Sequence, residues 1–312
     1  MKAGEHLWLS PFSFRKLEAP LAAPVPMAVA AAEEEDVLRA VLQMASAGVV
    51  LPYLVGDVDR IRRIADKCDL DLSSAQIFGA SDAASAAATA VAMVAGGDAA
   101  ILMKGLVETA VFLQAVLTKE KGLRSGGVLS HLAVFEIDGF PRPLAVTDAA
   151  MNIAPDLDIK REILKNAVSF LHKLGYTEPK VAVLAAKEKV SDKMPATVDA
   201  AALREEGRCG KITGCLVDGP FALDNAISAS AAATKGIESP VAGAADILLV
   251  PQIESGNILY KALAFLASSR NAGVVVGAAA PIVLTSRADS QAAKALSIAL
   301  AAYSIGRDRQ SG

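Results

Sequence analysis

From Val49 onward, short apolar or β-branched runs alternate with longer segments in which apolar residues recur at helical spacing. Val49 to Val55 reads as a strand, and Gly56-Asp57 then supplies a turn and an N-cap for a helix carrying Ile61, Ile64 and Ala65. The same pattern predicts strands at Ala75 to Phe78, Ala99 to Met103, Val128 to Phe135, Leu144 to Thr147 and Val181 to Leu184. Further strands are expected at Ile212 to Val217, Ile247 to Val250, Val274 to Val276 and Ile282 to Thr285. Strands joined by crossover helices are nearly always parallel in a covered sheet, so the fold class is α/β. Between Val128 to Phe135 and Arg142 to Thr147 only the six residues Glu136 to Pro141 intervene, too few for a crossover helix. It implies an antiparallel pair or a passage between domains, and a boundary is expected near 136–141.

At 312 residues the chain is about twice a typical domain of ~150, enough for one large unit or two. A net charge of -3, with Lys and Arg spread evenly, lacks the basic stripe of a nucleic-acid binder. Mean hydropathy is +0.39, much of it from alanine. The longest uncharged runs, Ala83 to Gly97 and Asn271 to Ser286, fall short of a spanning helix of ~20 residues and read as core. The first twenty residues show no apolar secretory stretch, so a cytoplasmic location is expected. Cys68, Cys209 and Cys215 show no CxxC spacing, and His6, His131 and His172 form no ligand pattern, which excludes a disulfide framework and a zinc motif.

Ligands of open α/β sheets bind beyond the carboxyl ends of strands, where five segments are unusual. Met103-Lys104-Gly105, followed by Thr109, offers a cation and an approachable backbone to an anion, or a solvated turn. In VTDAAMNIAPD, Asp156 reads as a helix N-cap, whereas Asp148 and Asn152 have no local structural explanation. In VDGPFALDN, Asp224 and Asn225 fall in the first turn of a helix, where the dipole alone would favour an acid. A helix starting near Glu254 puts Glu254, Asn257 and Lys261 on one face, as a salt-bridged surface or as ligand contacts. Gly256 in that first turn points to close approach. In PIVLTSRADS, Ser286 and Asp289 match a capping box, which leaves Arg287 at an expected helix N-terminus, a place suited to a phosphate or carboxylate.

These segments resemble the phosphate acetyltransferase and phosphate butyryltransferase family, and its butyryl branch more closely. The resemblance is carried by VTDAAMNIAPDLDIKREILKNAV, DGPFALDNAIS, ADILLVPQIESGNILYKAL and PIVLTSRADS, and extends over nearly all of the chain beyond Leu38. It implies two α/β domains around a cleft, like isocitrate and isopropylmalate dehydrogenases, with residues 1–138 and 273–312 in the first and 139–272 in the second. It implies an enzyme interconverting acyl-CoA plus phosphate with acyl phosphate plus CoA, butyryl-CoA first and acetyl-CoA as the alternative. No metal or redox cofactor is called for, and coenzyme A and phosphate are substrates. Partners are small molecules, without nucleic acid or membrane, and a homo-oligomer is expected.

By the same resemblance Arg287 binds the phosphoryl group, Ser286 donates to developing charge and Asp289 is the candidate base. In the acetyl branch the base aspartate lies farther past the Ser-Arg pair, where this chain has no acid, so helix capping stands as Asp289's other role. Lys104 adds phosphate neutralisation. Gly105, Thr109, Asp148, Asn152, Asp224, Asn225, Glu254, Gly256, Asn257 and Lys261 fall on motif positions that shape the site. A dehydrogenase of the same fold would need a metal-binding set of aspartates and a nucleotide loop, which the sequence lacks. A non-catalytic acyl-CoA or phosphate sensor would keep the same residues.

Overall fold

A computed structural model describes residues 11–119, 122–286 and 288–308. In chain order the elements begin with α1 (Phe14–Leu17), β1 (Val25–Ala30), α2 (Glu35–Ser46), β2 (Val50–Gly56), α3 (Val58–Lys67), β3 (Gln76–Gly79), α4 (Ala83–Ala95), β4 (Ile101–Lys104) and α5 (Thr109–Val116). They continue with β5 (Ser130–Ile137), β6 (Leu144–Thr147), α6 (Leu157–Lys173), β7 (Lys180–Leu184), α7 (Pro195–Arg208), β8 (Leu216–Phe221), α8 (Leu223–Ile227), α9 (Ala229–Thr234) and β9 (Ile247–Leu249). The last are α10 (Ile253–Phe265), β10 (Ser269–Val276), β11 (Ile282–Val283) and α11 (Gln291–Asp308). Described residues within 14–127 and 272–308 form one compact unit, and those within 11–13 and 128–271 form a second. No helix among the described residues is long and apolar enough to cross a membrane.

In the first unit the strand order is β3-β2-β1-β4-β11-β10, parallel except for β10. Pairing of Ala30 with both Val55 and Lys104, and of Val283 with Met103, brings the carboxyl ends of β1, β2, β4 and β11 to one edge. Helices start where their caps dictate: Asp57 accepts from the Arg60 N–H at 2.9 Å and Asp82 from the Ser85 N–H at 2.8 Å. The strand β1 was not anticipated. Pro24 before and Pro26 within the six-residue run hide it, yet the strand lies between β2 and β4 and its side chains are almost all buried.

In the second unit the order is β5-β6-β9-β7-β8, with β5 and β6 antiparallel and the rest parallel. The short link after Ile137 is therefore a hairpin turn inside this unit, with Gly139 at φ 79°. The change of unit comes earlier, between Gly127 and Val128, and the return lies between Asn271 and Ala272. The expected division at 138/139 is corrected accordingly, because the antiparallel pairing of Leu132 with Thr147 and Phe135 with Leu144 binds the two strands into one core, while the return falls one residue from the expected 272/273. That core joins Phe135, Val146, Leu184, Phe221, Leu248 and Tyr260. The strand expected at Ile212 to Val217 instead begins at Leu216, after Gly214 at φ 77°, and runs through Pro220. As the end strand of this unit's order, β8 tolerates a proline that has no N–H to donate.

Candidate active site

At the carboxyl edge of the first unit, Lys104 ends β4 and its Nζ donates to the carbonyls of Gly105 at 3.2 Å and Val107 at 2.9 Å. Gly105 has no room for a side chain: an added Cβ would meet the Ala31 carbonyl and lie 2.8 Å from the Ala30 oxygen. That close approach lets the Gly105 and Leu106 N–H groups donate to Ala30 and Ala31, clamping the loop to the end of β1. Thr109 is exposed at the start of α5.

Beside this loop, β11 delivers PIVLTSRADS. The Ser286 N–H donates to Asp289 Oδ2 at 2.7 Å, and the Ala288 N–H donates to Ser286 Oγ at 3.3 Å. The first is one of the two bonds of a capping box; the serine hydroxyl accepts from the residue two along rather than three, and no helix starts there. Ser290 caps α11 instead, its Oγ accepting from the Ala293 N–H at 3.1 Å, so the described residues between Val283 and Gln291 lie outside the helix and the expected helix start is corrected to Gln291. Arg287 lies outside the described residues. Behind the turn, the buried Lys294 donates from Nζ to the Asp289 carbonyl at 2.8 Å, a contact sequence reading did not anticipate. A lone lysine amid alanine and leucine on an otherwise apolar helix face was the signal that could have found it.

In the second unit, Asp148 follows β6 and is buried. Its carboxylate accepts from the backbone N–H groups of Ala150, Met151 and Asn152 at 2.9, 3.0 and 3.1 Å, and from Asn152 Nδ2 at 2.6 Å. Asn152 Nδ2 also donates to the Leu129 carbonyl at 2.8 Å. Both residues thus have the structural role that the sequence did not reveal: they fold the 148–152 loop around one carboxylate. Asp156 caps α6 as expected, accepting from the Ile159 N–H at 2.9 Å.

Gly256, in α10, sits on this loop, where an added Cβ would lie 2.6 Å from the Asp148 carbonyl oxygen and 2.8 Å from Val250. Asn257 Nδ2 donates to the Ala149 carbonyl at 3.2 Å, while Glu254 is exposed. Lys261 Nζ lies over the rings of Tyr260 and Phe265, 5.1 and 5.3 Å from their centroids. The face predicted for Glu254, Asn257 and Lys261 is therefore partly committed to contacts within the unit.

Asp224 and Asn225 open α8. Lys235 bridges Glu188 at 2.8 Å and Asp224 at 3.2 Å, and its ammonium holds the Glu188 carboxyl below the ordinary glutamate range. Asn225 is fully buried, donates from Nδ2 to Glu188, and keeps a buried Oδ1 without a protein partner. A cavity of about 510 Å³ opens beyond β7 and β9, lined mainly by apolar groups including Leu184, Pro195, Leu223, Val250 and Leu259, with Gln252 among them. No residue of the predicted set lines it.

Residues 82–302 match the family model described as phosphate acetyl/butaryl transferase. The chain belongs to this family. A phosphate butyryltransferase from Clostridium beijerinckii is 48% identical over 91% of this chain and 94% of its own length. A phosphate acetyltransferase from Thermotoga maritima is 44% identical over 88% of this chain and 94% of its own. Among solved structures, a branched-chain phosphotransacylase from Enterococcus faecalis V583 superposes with a TM-score of 0.80 at 33% identity, covering 90% of this chain and 99% of its own. Family membership makes the chain a transferase with an α/β phosphotransacylase fold, as the resemblance implied. The matched segment contains every residue of the predicted site, from Lys104 to Asp289.

Proposed function

We propose that this protein interconverts a short-chain acyl-CoA and phosphate with the acyl phosphate and free CoA, with butyryl-CoA as the preferred substrate. The observation that carries the reading is the family match over 82–302, which takes in both anion-suited segments of the first unit. Parallel pairing of β4 with β11 supports it, since it sets the Lys104 loop and the Ser286–Asp289 turn side by side at one edge although they are far apart in sequence.

In the direction of acyl-CoA formation, the CoA thiol gives its proton to a base and the thiolate attacks the acyl phosphate carbonyl. A C–S bond forms, charge collects on the carbonyl oxygen, and the C–O bond to phosphate breaks. Holding both substrates together removes the need for an enzyme nucleophile. Arg287 binds the phosphoryl group, the Ser286 hydroxyl donates to the developing negative charge, and Asp289 takes the thiol proton. Lys104 contributes positive charge. The loops around Asp148 and Gly256, and the cluster at Asn225, are assigned to substrate binding. No metal or redox cofactor enters this chemistry. A cytoplasmic location and a homo-oligomeric assembly complete the proposal, to be checked by cell fractionation and light scattering.

The test is release of free CoA from butyryl-CoA and from acetyl-CoA, followed with a thiol reagent with and without phosphate. Phosphate-dependent release, faster with butyryl-CoA, is expected. Faster turnover of acetyl-CoA would move the assignment to the acetyl activity, which the Thermotoga maritima relative bears in its name. Release without phosphate would indicate a thioesterase, and no release a binding protein.

A further inference from the structure

Lys294 lies in the first turn of α11 with only 1% of its surface exposed. Two effects make this a costly place for a lysine side chain. Burial strips its hydration, and the amino end of a helix already carries partial positive charge. Neither the helix nor the surrounding alanines and leucines gain from it, and an apolar residue would pack there at lower cost.

What the ammonium does hold is specific. Nζ donates to the backbone carbonyl of Asp289 at 2.8 Å and meets the Asp36 carboxylate of α2 at 3.4 Å. The shorter bond goes to the turn that begins at Ser286. The acidic partner is 55% exposed, so water weakens its hold on the lysine charge. The same turn is closed from the other side by the Ser286 N–H donating to Asp289 Oδ2. Asp289 is thus fixed at its carboxylate by Ser286 and at its carbonyl by Lys294.

We propose that Lys294 is a positioning residue for phosphate use: its ammonium pins the Asp289 carbonyl, through the Ser286–Asp289 bond it fixes Ser286, and it places positive charge beside both residues. The proposal rests on the phosphate acyltransferase reading above. It assigns Lys294 no contact with substrate. Its effect passes through the backbone of the turn and through charge.

The test compares Lys294→Met, Lys294→Arg and Asp36→Asn in the full chain, using phosphate-dependent release of CoA from butyryl-CoA. Loss of one charge-assisted hydrogen bond at the turn should raise the phosphate KM of Lys294→Met by roughly tenfold or more. Its KM for butyryl-CoA should stay near the parent value. Lys294→Arg keeps a donor and the charge, and should recover most of the phosphate affinity. Asp36→Asn removes only the acidic partner and should leave the phosphate KM unchanged. If Lys294→Met does not fold, Lys294→Gln, a neutral donor, replaces it in the same comparison.

An unchanged phosphate KM in folded Lys294→Met or Lys294→Gln overturns the proposal while leaving the acyltransferase reading intact. So does an Asp36→Asn enzyme impaired to the same degree, since the lysine would then serve only to tie α11 to α2. A parent protein that releases no CoA with phosphate overturns both readings.

Discussion

Gly256 lies against the backbone of Asp148, so closely that a methyl group in its place would stand 2.6 Å from the Asp148 carbonyl oxygen. Two motifs more than a hundred residues apart meet there, the loop after β6 and the first turn of α10. Replacing Gly256 by alanine should force the helix away from the loop and cost about 1–3 kcal/mol, the usual range for overpacking. Urea denaturation reads the loss. A Gly256→Ala protein as stable as the parent would mean that helix and loop can separate freely.

Asp148 supplies a second check on that loop. Asparagine is nearly isosteric, but its NH2 group must face either a backbone N–H or the Asn152 amide that the carboxylate now accepts from. One satisfied acceptor becomes an opposed donor, with an expected cost of about 1–3 kcal/mol. Asp148→Asn should therefore lower the urea midpoint, and the thiol-reagent assay should show a weaker KM for acyl-CoA in the protein that remains folded.

Replacing Arg287 with glutamine removes the planar cation assigned to phosphate. We expect the phosphate KM to rise by roughly a hundredfold, with the circular dichroism spectrum unchanged, because the fork-shaped cation assigned to phosphate is replaced by a neutral side chain. Phosphate dependence like that of the parent in a folded variant would remove Arg287 from the mechanism.

Asp289→Asn separates the two roles of that residue. An amide oxygen can still accept the Ser286 N–H, so the turn is kept, but the side chain can no longer take a proton. As a general base its loss should lower kcat for acyl-CoA formation by about 10²–10⁴-fold. Full activity would leave Asp289 with the turn alone.

The cysteines bear on the assay itself. Burial pushes the Cys215 thiol up to about 11, while Cys209 is exposed. Near pH 8 only about one Cys215 in a thousand is thiolate, since each unit below the pKa costs a factor of ten. Cys209 should react first with a thiol reagent and Cys215 last, as peptide mapping of partly labelled protein would show. Reaction at Cys215 ahead of Cys209 would contradict its half-buried setting.

The local grammar of the chain was readable because its causes are local. Asp57 and Asp156 cap the helices that follow them, as their positions before periodic segments implied. Leu144 to Thr147 was located to the residue. The domain boundary was not, because a six-residue link can turn a hairpin or leave a domain, and only the pairing of Leu132 with Thr147 chooses. PIVLTSRADS misled in the same manner: the Ser286 N–H to Asp289 bond of a capping box forms, yet α11 waits for Ser290.

The sequence by itself determined the α/β class and the family, and picked out the segments proposed to carry its chemistry, since short-range periodicity, caps and motifs need no knowledge of the fold. Tertiary structure alone decided what those residues touch. Asp148 and Asn152 looked free for a ligand until the loop closed around one carboxylate. Lys294 looked like an ordinary helix lysine until β11 paired with β4 and α11 packed on α2, burying its ammonium beneath the Asp289 carbonyl. Burial and long-range hydrogen bonds depend on which distant segments become neighbours, and no local pattern in the chain records that.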